Sequence, residues 1–127
     1  EEVFEGSYAG KIIVDSSNWD ARIATSIKYS DLQPENTAFP VYIELNYHTN
    51  YPIQIGIIGY YDNGSTTEFY KVGVNERDFW NKIYINLTEE VFSLGASQYA
   101  VAFKVEYPIT DSTPAEIYVD NVKLLHF

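Results

Sequence analysis

The stretch that most clearly decides the fold is residues 41–47, which read VYIELNY. Apolar residues occupy every second position from Val41 to Tyr47, and Tyr42, Glu44 and Asn46 fall between them. Because successive side chains of a β-strand point to opposite faces, this alternation predicts a strand with one buried face. The same two-residue period continues in residues 23–29, 53–61 and 101–107, with shorter runs at 11–15, 68–74, 82–87 and 116–125.

The breaks between these runs carry residues typical of turns. Residues 62–64, which read DNG, predict a tight hairpin turn with positive φ at Asn63 and Gly64. Thr88 followed by the acidic Glu90 predicts the N-cap and first turn of one short helix that ends at Gly95. About eight strands at this spacing, with one short helix, predict an all-β antiparallel β-sandwich of the jelly-roll type.

One irregularity interrupts the last run. The apolar alternation of residues 116–125 slips by one residue across Asp120 and Asn121. A one-residue slip within a strand predicts a β-bulge, which re-aims the side chains around it. Two interpretations are open here: simple curvature of an edge or closing strand, or a bulge that turns Asp120 towards a cation or a second acidic group.

Composition narrows the possible functions. The chain has 127 residues, 46% of them hydrophobic, which fits a single β-sandwich domain over residues 1–127. The net charge of −10 disfavours nucleic-acid binding, and no run of residues is apolar enough for a membrane span. Cysteine is absent, and the absence of methionine even at position 1 indicates a C-terminal fragment of a longer chain. Aromatic residues reach 17%, so some of them are expected on the surface as binding groups.

Catalytic chemistry has little support in the sequence. His48 falls in an expected loop and His126 lies one residue from the end, without a partner residue at metal-ligand spacing. Glu44 and Glu106 project from predicted strands, where a solvated outer face accounts for them better than a pair of glycosidase carboxylates. The expectation is therefore a protein that is not an enzyme.

Four segments, in order along the chain, resemble one family. Residues 6–11, 41–47, 80–87 and 116–124 are similar to elements of carbohydrate-binding modules with the galactose-binding-like jelly-roll fold, and of related domains in Bacteroidetes-type surface lipoproteins. The resemblance implies an appended, non-catalytic domain of a secreted or outer cell-surface bacterial protein. It also implies a carbohydrate partner, an oligo- or polysaccharide, with contacts to other domains of the parent protein.

The resemblance further implies a structural calcium ion. In the resembled families an acidic residue near the first strand and one in the closing strand hold the ion, and the matching positions here are Glu5 and Asp120. The backbone carbonyl of Lys11 is a further candidate ligand, and calcium binds such oxygen ligands. Those families often carry a second acidic residue where Asn121 stands.

Side chains that face away from the apolar rows are the candidates for glycan contact. Tyr42 and Asn46 face outward on one predicted strand, and Gln54 and Tyr60 face outward on another. If the two strands are neighbours, these four side chains form an aromatic and amide platform, to which a loop adds Trp19. Trp80, which opens a strand and matches a structural position of the resembled families, is assigned to the core.

Two functions of different classes follow. The first is a non-catalytic carbohydrate-binding module that holds glycan by aromatic stacking and hydrogen bonds. The second is a structural or assembly domain of a surface lipoprotein, in which the same aromatic side chains form a protein interface.

Overall fold

The computed structural model describes residues 9–14, 22–24, 40–105 and 113–126. They form the strands β1 (Ala9–Val14), β2 (Arg22–Ala24), β3 (Val41–Thr49), β4 (Ile53–Tyr60), β5 (Thr66–Val74), β6 (Arg77–Asn86), β7 (Gln98–Val105) and β8 (Ala115–His126), and the helix α1 (Thr88–Leu94). The first sheet has the order β1-β8-β3-β6 and the second the order β2-β7-β4-β5, with antiparallel pairing throughout. The predicted all-β antiparallel sandwich with one short helix is confirmed.

The core lies between the inward rows of the two sheets. The inward side chains of β3 and β4 are fully buried: Val41, Ile43 and Leu45 on β3, and Ile53, Ile55 and Ile57 on β4. Each side chain of this size stabilises the fold by about 1.5–3 kcal/mol when it is fully buried. The alternation seen in the sequence is therefore the alternation between core and outer face, which leaves Tyr42, Glu44, Asn46 and His48 in the outward row of β3.

The predicted bulge in β8 is confirmed. Glu44 pairs with Lys123 and Asn46 with Asp120, so two residues of β8, Asn121 and Val122, oppose a single residue of β3. Asn121 has a φ of 58°, a left-handed conformation that asparagine tolerates better than most residues. The bulge shifts the parity of β8, so that the inward row continues from Val122.

The hairpin between β4 and β5 differs in one detail from its prediction. Gly64 has a φ of 90°, but Asn63 does not have a positive φ. The loop is longer than a two-residue turn: the Gly64 and Tyr61 amides pair with Tyr61 O and Ser65 O, at 2.9 and 3.0 Å. Asn63 Oδ1 accepts hydrogen bonds from Ser65 N and Oγ, which holds the turn without positive φ at Asn63.

The helix α1 depends on tertiary anchors, because seven residues are too few for a helix that is stable alone. It ends as predicted at Gly95, whose φ of 57° suits glycine and whose N–H donates to Val91 O at 3.2 Å. Its first residue is Thr88, with Leu87 at the N-cap position, so Thr88 is not itself the N-cap. Tyr99 Oη donates to Val91 O at 3.0 Å, and Tyr61 Oη donates to Leu94 O at 2.7 Å.

The second sheet has a bulge of its own in its edge strand β5. Ile55 pairs with Val72 and Gly56 with Tyr70, which leaves Lys71 as the extra residue. At this point the two backbones approach so closely that a Cβ on Gly56 would lie 1.9 Å from the carbonyl oxygen of Phe69. Glycine is therefore required at position 56. Within the described part of the chain, no helix has the length and apolar character needed to cross a membrane.

Candidate functional site

The glycan contacts predicted from the sequence lie on two different sheets. Tyr42 and Asn46 belong to β3, which pairs with β8 and β6, whereas Gln54 and Tyr60 belong to β4, which pairs with β7 and β5. Because β3 and β4 are not neighbours, the condition for a shared aromatic and amide platform is not met. Trp19 lies outside the described residues.

Asn46 and Asp120 form a buried polar pair at the β8 bulge. They are register partners, and they are 0% and 2% exposed although Asn46 belongs to the outward row of β3. Neither Nδ2 nor Oδ1 of Asn46 has a hydrogen-bond partner within the described residues. A fully buried amide presents no surface to a sugar, so the structure places Asn46 apart from the surface residues of the predicted platform.

The pair satisfies part of what the expected calcium site needs. A buried carboxylate and an amide oxygen that lacks a partner are both ligands that calcium accepts. Glu5, the other expected ligand, lies outside the described residues. Among residues 9–14, 22–24, 40–105 and 113–126, no group of three or more His, Cys, Asp or Glu side chains converges on one point. The described part of the chain thus brings together one carboxylate and one amide, those of Asp120 and Asn46, at the position where the ion is expected.

A cleft opens beside Tyr42 at the end of the sandwich where the edge strands of both sheets meet α1. This Tyr42 cleft has a volume of about 370 Å³ and is lined by Pro40, Tyr42, Lys71, Asn86, Thr88, Glu89 and Glu90. Its residues come from β3, β5, β6 and α1, so both sheets and the helix contribute walls. The volume lies in the lower part of the roughly 300–1,000 Å³ range of small-molecule sites.

One wall of the Tyr42 cleft is fixed by hydrogen bonds between side chains and backbone. Asn86 is the cross-strand neighbour of Tyr42, and its Oδ1 accepts bonds from Thr88 N at 3.0 Å and Thr88 Oγ1 at 2.6 Å. Thr88 Oγ1 in turn accepts a bond from Val41 N at 3.0 Å. Because the Asn86 oxygen is engaged, the group that this exposed, cleft-lining side chain has left to offer a ligand is its Nδ2 donor.

The opposite wall is charged. Lys71 Nζ of β5 lies 2.6 Å from Glu90 Oε2 of α1, with the two side chains 38% and 17% exposed. Oε1 of the same carboxylate is buried and has no hydrogen-bond partner in the described part of the chain. The ion pair joins the second sheet to the helix beside the cleft, and Glu89 adds an exposed carboxylate.

The cleft combines three kinds of group that bind neutral polar ligands. Tyr42 supplies a half-buried aromatic ring, Asn86 and Lys71 supply N–H donors, and Glu89 supplies acceptor oxygens. The sequence alone pointed to Tyr42 but to none of the other lining residues. These residues belong to different runs of the sequence, and only the pairing of β3 with β6 and the position of α1 bring them together.

The structure also corrects two aromatic assignments. His48 lies within β3 instead of a loop, and its half-buried ring stacks on Tyr118 with centroids 4.3 Å apart. Trp80 is half-buried outside the core cluster, with its ring in an edge contact 4.7 Å from His48. The two-residue period of β3 could have predicted that His48 belongs to this strand, since His48 continues the outward row of Tyr42, Glu44 and Asn46. The rings of Trp80, His48 and Tyr118 form a row across the outer face of the first sheet.

Comparison with known proteins extends the description of the fold. No family model matches this sequence, and no curated protein sequence is significantly similar to it. The structure does match solved structures. One of them, described as "Family 16 Carbohydrate Binding Module-2", matches over 96% of this chain and 79% of that chain, with a TM-score of 0.52 and 14% sequence identity. At this identity the similarity establishes the fold, which this chain shares with that carbohydrate-binding module.

Proposed function

We propose that the protein is a non-catalytic carbohydrate-binding module and that its glycan site is the Tyr42 cleft. The observation that carries this proposal is the composition of the cleft, which combines an aromatic ring with N–H donors and carboxylate acceptors. The fold shared with a carbohydrate-binding module supports it. No bond is made or broken in the proposed activity.

The chemistry of sugars matches these groups. A pyranose offers an apolar C–H face, which stacks on an aromatic ring, and hydroxyl groups that both donate and accept hydrogen bonds. In the proposed complex Tyr42 stacks on the sugar, Asn86 Nδ2 and Lys71 donate to hydroxyl oxygens, and a hydroxyl donates to Glu89. Because each exposed contact of this kind contributes only on the order of 1 kcal/mol, we expect a modest affinity.

The test is a screen of the isolated domain against neutral polysaccharides by affinity gel, followed by calorimetry. Tyr42→Ala should lose most of the binding, while Tyr60→Ala, which changes a half-buried tyrosine on the other sheet, should retain it. Loss of glycan binding in Tyr60→Ala but not in Tyr42→Ala would show that the site lies on the second sheet, near Gln54. The absence of binding to every glycan would contradict the proposal.

A structural calcium ion is a second part of the proposal. We propose that Asp120 and Asn46 hold it together with Glu5. The buried Asn46 amide supports this assignment, because it lacks a hydrogen-bond partner in the described part of the chain. A bound calcium ion would supply a cross-link between strands, and Asp120 and Asn46 would orient their oxygens towards it from β8 and β3. The proposed context is a secreted or cell-surface bacterial protein with further domains.

The alternative function, a structural or assembly domain, is supported by exposed rings. Phe79, Tyr84 and Phe92 are 57%, 60% and 47% exposed, and aromatic side chains are enriched at protein interfaces. Concentration-dependent sedimentation of the domain with neighbouring domains of its parent protein would test this function. Association that Tyr84→Ala abolishes, together with a silent glycan screen, would favour it.

A further inference from the structure

We infer that the glycan site has two adjacent subsites, so that it binds neutral oligosaccharides of at least two sugar units. This inference rests on the proposed function. The second subsite is a cleft of about 250 Å³, here called the Phe69 cleft, which is lined by Phe69, Glu89, Glu90, Ser93 and Leu94. Glu89 and Glu90 line both clefts and so form the partition between them.

The two clefts lie next to each other along the same elements. Lys71 lines the Tyr42 cleft and Phe69, two residues earlier on β5, lines the Phe69 cleft. On the other side, α1 contributes its first turn to one cleft and its last turn to the other. A linear ligand that lies between β5 and α1 therefore contacts both clefts and crosses the carboxylates between them.

The chemistry of the second cleft differs from that of the first. The Tyr42 cleft carries an amide and an ammonium group, whereas the Phe69 cleft is bounded by the ring of Phe69, which is 38% exposed, and by the half-buried Leu94. A phenyl ring accepts stacking from a C–H face but offers no hydrogen bond in the ring plane. The first subsite thus orients a sugar by polar contacts, and the second holds the next sugar mainly by stacking.

The spacing of the subsites is fixed by the anchors of α1. Tyr61 Oη holds Leu94 O at 2.7 Å and Tyr99 Oη holds Val91 O at 3.0 Å. The Lys71–Glu90 ion pair at 2.6 Å ties the first turn of the helix to β5. Because the helix that carries the partition is held at both ends, the site discriminates between glycans by chain length and linkage.

The charge of the partition selects against acidic sugars. Glu89 is exposed between the two clefts, and Glu90 lies beside it. The positive charge of Lys71 in the first subsite is already paired with Glu90. A uronic acid in either subsite would therefore place a like charge near these carboxylates, and the net charge of −10 adds to the repulsion. Hydroxyl groups near a glycosidic linkage are instead hydrogen-bond donors for Glu89. The occupant is therefore a neutral oligosaccharide.

The test is calorimetry with oligosaccharides of one, two and three units of glucose, xylose or galactose. The sugar is chosen according to which of the corresponding polysaccharides the domain binds. The wild type should bind the disaccharide about tenfold more tightly than the monosaccharide. Phe69→Ala should lower disaccharide affinity about fivefold, as expected for the loss of one stacking contact, and leave monosaccharide affinity unchanged. Tyr42→Ala should lower both. Phe92→Ala, which removes an exposed ring of α1 that lines neither cleft, should change nothing.

The outcomes separate the two proposals. Suppose that the domain binds a polysaccharide but has equal affinity for one and two sugar units, or that Phe69→Ala has no effect on disaccharide affinity. Either result would overturn the two-subsite inference but leave carbohydrate binding in place. No binding of any glycan by the wild type would overturn both. Should Phe69→Ala fail to fold, as judged by its melting curve, Phe69→Leu removes the ring at a smaller cost in packing and decides the same question.

Discussion

Two asparagines of the first sheet, Asn86 and Asn46, have opposite environments. Asn86 is exposed, yet its Oδ1 accepts two hydrogen bonds from Thr88. Asn46 is fully buried, yet neither of its polar atoms has a hydrogen-bond partner in the described residues. Burying an amide without a partner costs about 1–3 kcal/mol. The described part of the fold therefore accounts for the Asn86 amide, whereas it holds no hydrogen-bond partner for the buried amide of Asn46.

The largest expected effect is that of Asn86→Ala. We expect it to lower the free energy of unfolding by about 2–3 kcal/mol, because Thr88 N and Oγ1 both lose their acceptor at the start of α1. Urea denaturation measures this change. Asn63→Ala is the matched control, since Asn63 Oδ1 also accepts two hydrogen bonds but in an exposed turn, and it should cost no more than about 1 kcal/mol. Equal losses in both variants would remove the special role of Asn86.

The second effect concerns Asn46 and calcium. A hundredfold excess of calcium over its Kd should stabilise the wild type by about 2.7 kcal/mol, or several degrees in Tm, because the ion binds only the folded state. Asn46→Leu should lose most of this response. In chelator the variant should be as stable as the wild type or more so, because the buried amide without a partner is gone.

Either of two results would contradict this expectation. A wild-type melting curve that calcium and chelator leave unchanged would remove the ion and leave the bulge at Asn121 as curvature of β8. A loss of stability of Asn46→Leu in chelator would show that the amide has hydrogen-bond partners in the protein. Differential scanning fluorimetry of both proteins with calcium, magnesium and chelator makes the comparison.

The smallest expected effect is a pH dependence of stability that comes from Tyr99. Its buried hydroxyl, unlike the amide of Asn46, both accepts and donates a hydrogen bond. The Tyr99 hydroxyl oxygen accepts a hydrogen bond from Ala96 N, and its O–H donates one to Val91 O. Burial raises the pKa of Tyr99 above the usual 10.0. As the pH rises, the unfolded chain therefore loses this proton before the folded protein does. The contribution of the Tyr99 hydroxyl to the free energy of unfolding is complete below pH 10 and is lost as the pH rises through the folded-state pKa. The loss amounts to at most about 1.4 kcal/mol per pH unit.

Urea denaturation between pH 8 and 11 measures this slope. Tyr99→Phe should be less stable than the wild type at pH 8, because Ala96 N and Val91 O lose a partner, and should lose less stability as the pH rises. Parallel curves for the two proteins would contradict the assignment of the slope to Tyr99.

The sequence predicted the fold well because the evidence for it is local. A two-residue period within β3 or β4 records which side chains face the core, and the same record reveals the bulge at Asn121 as a slip in parity. The end of α1 at Gly95 was equally predictable, because the left-handed conformation there favours glycine.

The site was less predictable because it depends on which strands are neighbours. Lys71 and Glu90 meet only because β5 and α1 share one end of the sandwich, and Asn86 meets Tyr42 only through the register of β6 with β3. Trp80 was misplaced because its position at the start of a strand and its match to the resembled families were weighed above its parity. Extending the inward row of Ile83 and Ile85 along β6 puts Trp80 on the outer face.

The bulge at Lys71 has a consequence for the behaviour of the protein at high concentration. Among the described strands β5 stands at the edge of the second sheet, and the edge of a sheet is in general a template for strand addition by another molecule. The extra residue interrupts the regular spacing of the β5 backbone, and the exposed lysine adds a charge that an incoming strand would have to bury. The same residue that bounds the Tyr42 cleft therefore protects this edge against aggregation.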